Sequence, residues 1–528
     1  MVPLPQHLAL AVTILVHPST TTRAKTREEK EAAPAALRLL RLISTLVSPR
    51  NANFNTAFTF SHFESSRSGR RRHTGDSLSN NEQPDGPNAL NLELSQSASL
   101  WSRAEDFWHA VGWAFNCSVL SPERWERWRI WLQFMCDVLQ DDWAQREQEY
   151  DKRKAENETA QPDDSETQLK GEKGKKIQTE GDSDLGILRE SIIFQYISGG
   201  SITGKTRRIF RAIFADGSTT SRNEFREVFN HELTHPKSNQ SADKTNKRGH
   251  LDIDRGQYGD YLSEDETDEE GQMMNEGKFL SGVTPSSNTV TNIRQSKRIR
   301  RGTRNAADLL TTQPERAAQS RLQTEHNVVD QMGGVTSLSL RKRLVGILSI
   351  VADRLPHDFV SNTEFYALLT DTIRHLPLPL FQAFVSPYVL PENSNSAQIT
   401  LCEFLVYEMI ESSAPKMHGE SLTQDTLERC FLPFAAASAS VVNNAKLSIL
   451  FEALTVLLAT NKLVTLRPSL EEAVDRGILR RTERSKEEPR RGHNGRNKES
   501  LERRWLVESG ERLIYLLRVL DPKKKPGI

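Results

Sequence analysis

Seven of the eight tryptophans of this chain, Trp101, Trp108, Trp113, Trp125, Trp128, Trp131 and Trp143, fall inside one short segment. Their spacing restricts what that segment can become. Trp101, Ala104, Trp108, Val111 and Phe115 recur at steps of three and four, and so do Trp125, Trp128, Leu132, Met135 and Leu139. Both sets form one face of an amphipathic helix. Ser121-Pro122 between them reads as an N-cap followed by a proline at the first helical position, so the segment predicts an antiparallel helical hairpin. Each buried indole removes about 150–250 Å² from water, worth about 4–6 kcal/mol before entropy is subtracted. The hairpin is therefore expected to anchor a core. The alternative is an exposed aromatic surface for a partner.

Further helix-length apolar stripes are expected at Leu8–Val16, Ala35–Val47, Leu185–Ser198, Thr206–Ala215 and Arg222 to about Leu233, the last behind a capping box of Ser221 and Glu224. Towards the C-terminus they recur at 340–355, 364–376, 379–389, 399–410, 422–437, 441–460 and 501–520. Strand alternation is not evident. The expected class is all-α, an array of packed helical hairpins with a solenoid-like stacking as one form of it, interrupted by long disordered insertions. No fixed repeat period supports a named solenoid.

Composition sets the limits of that body. Hydrophobic residues make up 36% of 528, and about 300 residues are expected to share a core. The pattern divides the chain into an N-terminal helical pair (1–63), a polar stretch (64–98), the Trp-rich hairpin (99–145), a charged linker (146–183) and short helices (184–235). There follow a long polar segment (236–335), a helical domain (336–479), a basic linker (480–498) and a C-terminal helix with a basic tail (499–528). The polar stretches are read as disordered.

The 70 basic and 70 acidic residues cancel, so no global field draws the molecule to nucleic acid or membrane. Cys117, Cys136, Cys402 and Cys430 lie far apart. That spacing argues against a zinc ribbon or a disulfide framework and suits buried thiols in a reducing compartment. Leu8–Val16 has no preceding Lys or Arg, so a packed helix is favoured over a secretion signal. No apolar stretch is expected to approach the roughly 18 residues that span a bilayer, and no membrane role is expected.

Two enzyme signatures lie close together. Gly199-Gly200-Ser201-Ile202-Thr203-Gly204-Lys205-Thr206 matches a phosphate-binding loop, in which a buried strand delivers a glycine-rich turn whose amides and lysine hold phosphates. Here a helical stripe, Leu185, Leu188, Ile192 and Tyr196, leads into it, and the glycines read as a helix stop. His231-Glu232-Leu233-Thr234-His235 resembles the core of the thermolysin-type zinc peptidase helix. The resemblance covers five residues and implies His231 and His235 as zinc ligands and Glu232 as general base. Pro236 ends the helix at the second ligand, so a solvated helix end is the competing reading. Asp252-Ile253-Asp254 resembles the start of a calcium loop, but Gln257 and Ser263 occupy positions that need Gly and Glu.

Charge runs supply the remaining candidates. Residues 260–270 hold seven acids and no base, whereas 294–304 hold Arg294, Lys297, Arg298, Arg300, Arg301 and Arg304 with no acid. The second run, with Lys523, Lys524 and Lys525 near the C-terminus, is a candidate nuclear-import or phosphate-binding cluster. Ser263 and Thr267, set among acids, are candidate phosphorylation sites; each phosphate would add about −1.5 to −2 charges and strengthen masking of the basic run.

The expected function is a non-catalytic, nuclear, α-helical interaction or scaffold protein without a cofactor. Its expected partners are other proteins docked on the helical body and a nuclear import receptor, with chromatin or nucleic acid as a further candidate. The alternatives are a zinc-dependent hydrolase through His231, Glu232 and His235, and a nucleotide-binding protein through Gly199–Thr206.

Overall fold

A computed structural model describes residues 2–61, 93–159, 185–198, 202–233, 330–387, 395–415, 422–488 and 496–520. At the N-terminus, Pro5 opens α1 (Pro5–Val16). Helix α2 spans Arg27–Val47 and starts well before the Ala35 expected from the apolar stripe. Its start is a reciprocal capping box: Thr26 accepts from the Glu29 amide at 3.2 Å, and the Glu29 carboxylate accepts from the Thr26 amide. Glu28 and Glu29 also lie at the positive end of the helix dipole. The charged residues before the expected start at Ala35 are thus the first turns of the helix.

The tryptophan hairpin forms, and all seven of its indoles are buried. The core reading of that cluster is the observed one. Its first arm is split, however, into α4 (Leu100–Arg103) and α5 (Phe107–Leu120), after the short α3 (Phe54–Ala57). Asp106 causes the break by accepting from the His109 amide at 2.7 Å as an N-cap. The second arm, α6 (Pro122–Thr159), runs past the boundary expected at 145. Arg146 explains the extension: it is buried, pairs with Asp142 at 3.0 Å and donates to the Ile187 carbonyl at 3.2 Å. A charge read as the start of a linker is a packed residue with its hydrogen bonds met.

The helix expected over Leu185–Ser198 is interrupted. A short α-helical stretch at 185–189 stops before the fully buried Ser191, which caps α7 (Ile192–Ile197), while Asp142 accepts the Ile192 amide at 2.9 Å. Next come α8 (Ile202–Ile213) and α9 (Thr219–Glu224). The helix expected from Arg222 to Leu233 does not form. Ser218, not Ser221, caps α9; the Ser221 hydroxyl donates to Asn116 at 2.7 Å and Glu224 pairs with Arg211. Residues 225–233 are irregular and turn-like.

The C-terminal half contains α10 (Gly334–Arg354), α11 (Asn362–Ile373), α12 (Leu378–Val385), α13 (Asn395–Met409), α14 (Val441–Thr460), α15 (Pro468–Lys486) and α16 (Arg496–Leu520). Helix α14 is central, packed by α12, α13, α15 and α16. Contrary to expectation it is long and apolar enough to span a bilayer, with mean hydropathy 1.5, yet 83% of its apolar window is buried within the fold. The helix expected at 422–437 is replaced by a π-helical turn, Leu427–Phe431, and an isolated bridge between Ile410 and Ala436.

Helix α15 was not anticipated and occupies part of the supposed basic linker. Arg481 on it is fully buried and donates to the Leu432 and Phe434 carbonyls at 2.9 and 3.2 Å. Gly477 allows this approach, since an added Cβ would stand 1.8 Å from the Leu432 oxygen.

Arg341 of α10 ties the two halves together. It is fully buried, donates to the Ile213 and Ala215 carbonyls, and lies over the Phe115 ring at 4.1 Å. The described residues belong to one compact unit with a shared apolar core. They are mostly helical, and no strand occurs among them.

Candidate functional site

The thermolysin-like pentapeptide sits in the turn after α9 rather than on a helix. His231 has φ +56°, a left-handed backbone that interrupts any helix there. Its carbonyl accepts from Arg23. His235 lies outside the described residues. Glu232 points inward and its side chain is fully buried. One carboxylate oxygen accepts from Trp128 Nε1 at 2.6 Å and from Arg124 Nε at 2.8 Å; the other accepts from Trp113 Nε1 at 2.8 Å and the Phe229 amide at 3.3 Å. Arg124, also buried, donates onward to the Val16 carbonyl at 2.7 Å and the Thr21 hydroxyl at 3.0 Å.

Both sequence-based readings of this motif therefore need correction. Glu232 is neither on a solvated helix end nor open to a metal-bound water. It is the centre of a buried network in which every donor around it is matched. Among the described residues no group of three or more His, Cys, Asp or Glu side chains could hold a metal ion.

The phosphate-loop signature is also placed differently from its expected context. The element before it is the helix α7, and α8 begins inside it at Ile202; Gly199, Gly200 and Ser201 lie outside the described residues. Lys205 donates to the Ser198 carbonyl, and Thr206 is buried. Partial burial lowers the Lys205 ammonium below its ordinary range. No strand among the described residues precedes the signature, so the strand-turn-helix cradle of such loops is not formed there.

Lys297, Arg298, Arg300, Arg301, Arg304, Lys523, Lys524, Lys525, Ser263 and Thr267 all fall outside the described residues, as does the calcium-like segment beginning at Asp252.

One feature missed in the sequence is a row of leucines on α2. The helix buries Ala33, Ala36, Leu40 and Ile43, and presents Leu39, Leu42 and Leu46 to solvent with 41%, 56% and 73% of their surface exposed. These are positions i, i+3 and i+7, a single helical face. Arg38 and Arg41 flank the row, both exposed and neither in an ion pair among the described residues, and α2 carries no acid after Glu31. The signal was present: Leu37, Leu39, Leu40, Leu42, Ile43, Leu46 and Val47 are more apolar residues than one buried stripe can accommodate.

No family model matches this chain, and no curated protein or solved structure matches it either.

Proposed function

We propose that this chain is a non-catalytic helical interaction protein that receives an amphipathic helix of a partner protein along α2. The observation that carries the reading is the exposed row Leu39, Leu42 and Leu46 beside Arg38 and Arg41. Anchors spaced at i, i+3 and i+7 match the way one amphipathic helix reads another. Contiguous exposed apolar surface, here on a helix that buries Ala33, Ala36, Leu40 and Ile43 on its other face, marks interaction sites. The unpaired arginines favour a partner helix with acids beside its apolar stripe, because complementary rim charges steer association and select partners.

Within this reading the helical body is an array of packed hairpins. The runs at 294–304 and 523–525 serve as nuclear-import addresses, recognised through their clustered Lys and Arg, and the first is also available to nucleic acid.

The test compares proximity labelling by the full chain with that by the Leu42→Asp, Leu46→Asp variant. Both substitutions sit on the solvent face and leave the core intact. The expected result is selective loss of partners that contain a helix with an apolar stripe and acidic flanks. An unchanged set of labelled proteins overturns the docking face. Replacing Lys297, Arg298, Arg300, Arg301 and Lys523–Lys525 with Ala should move the protein to the cytoplasm; normal nuclear accumulation would contradict the address.

A further inference from the structure

Helix α16 packs on α14 and buries Trp505, Leu506, Leu513 and Leu517. Arg512 braces it there by pairing with Glu452 of α14 at 2.8 Å. The opposite side of α16 is left to solvent, although it is partly apolar: Val507, Tyr515 and Val519 are each more than half exposed. With Glu511 they follow one another at four-residue steps and so share one side of the helix. A groove on that side is lined by Glu508, Glu511, Arg512, Ile514, Tyr515 and Arg518, all from α16. Glu511 and Arg518 are exposed, and neither makes an ion pair among the described residues. They stand two turns apart, about 10 Å along the axis, too far to pair with each other within one chain.

The order of residues on this side is complementary to its own reverse. Val507 and Val519 stand six residues to either side of 513, Glu508 and Arg518 five, and Glu511 and Tyr515 two. Two copies of α16 laid antiparallel about a two-fold axis at the level of residue 513 therefore bring Val507 onto Val519 of the second copy. Arg518 of each copy then enters beside Glu508 of the other, with Glu511 one turn away. Glu508 is already engaged within its own chain, so Glu511 supplies the countercharge. The Tyr515 hydroxyl comes opposite Glu511 and donates to it. Each contact is made twice, as a two-fold interface requires. Residues 506–520 overlap, about 20 Å of helix, and Arg504 falls outside that overlap. A parallel pair would instead set Glu511 against Glu511 and Arg518 against Arg518.

We propose that the exposed side of α16 is a self-association face on which a second copy of this chain docks antiparallel, forming a two-fold dimer. The apolar residues supply the contact area, and the Glu511–Arg518 pairs select the antiparallel register over the parallel one. A helix already braced against α14 loses little freedom on docking. This face is separate from the leucine row of α2, and neither reading depends on the other.

Sedimentation velocity of the purified full-length chain should show a monomer–dimer equilibrium between about 1 and about 100 µM, as suits a single helix face smaller than the usual ~800 Å² per partner. Glu511→Arg and Arg518→Glu should each weaken the dimer about tenfold or more by setting like charges together. The chain carrying both substitutions should regain it, because antiparallel docking sets the two new side chains against each other. Melting temperatures should stay at the wild-type value, since both positions are exposed. A wild-type chain still monomeric at the highest concentration overturns the proposal, and so does a combined variant no better than either single one, the result a parallel pair would give. Disulfide formation reads the register without a change of charge, because the four native cysteines are buried. A Val507→Cys chain mixed with a Val519→Cys chain should form linked pairs faster than either variant alone; equal rates overturn the register.

Discussion

Replacing Glu232 with Gln should be among the most damaging single-atom changes available in this protein. The carboxylate is fully buried and receives donors from Trp113, Trp128, Arg124 and the Phe229 amide. Gln keeps the shape but presents an NH₂ group to one pair of those donors, and it leaves the buried Arg124 guanidinium without a countercharge. Breaking one side of a buried ion pair costs about 3–5 kcal/mol, a fifth or more of a stability that is ordinarily about 5–15 kcal/mol. Guanidinium unfolding followed by tryptophan fluorescence reads the loss directly, since two of the donors are indoles. The Arg124→Met variant should suffer similarly, and the double variant should be less unstable than the sum by about 1–3 kcal/mol, because the stranded charge is gone. A Glu232→Gln protein within about 0.5 kcal/mol of wild type, or strictly additive effects, would refute the network as the anchor of this region.

Gly477→Ala should destabilise by about 1–3 kcal/mol as an overpacked contact, because the new methyl meets the Leu432 carbonyl oxygen rather than a movable side chain; denaturant titration checks it. Burial raises the Glu403 carboxyl to about 7 from an ordinary 4.5, and one of its oxygens is buried without a hydrogen-bond partner. The folded state therefore holds a proton that the unfolded chain has released between those values, so this group's contribution to stability falls as pH rises through that window. Glu403→Gln should flatten that slope, raising the melting temperature at pH 8 and leaving it unchanged near pH 4.5. Arg341→Met should expose the seam between α8 and α10 to early proteolysis, because the Ile213 and Ala215 carbonyls lose their donor; cleavage no faster than wild type would contradict the seam.

Periodicity revealed the helices where apolar residues alone decide the face. Val441–Thr460 was legible residue for residue, and the tryptophans were correctly read as core. It failed where a polar side chain sets the boundary. Asp106, Ser191 and Ser218 cap helices at points where the apolar stripe continues, so one expected helix became two or ended early. It also failed where a charge is buried. Arg146 and Arg481 read as solvated, yet each satisfies backbone carbonyls that lie far away in sequence, information that no local pattern contains. Glu232 is the sharpest instance. Its motif suggested chemistry on a helix, whereas its partners Trp113, Arg124 and Trp128 are brought to it by the hairpin.

The docking face on α2 is tested most directly by placing a photo-crosslinking amino acid at Leu42 of the full-length chain in cells and sequencing the crosslinked peptides. The account requires crosslinks to a helix of another protein that carries an apolar stripe with acidic residues beside it, and their loss when Leu39 and Leu46 are changed to Asp. Crosslinks confined to this chain, or to partners without such a helix, would contradict it.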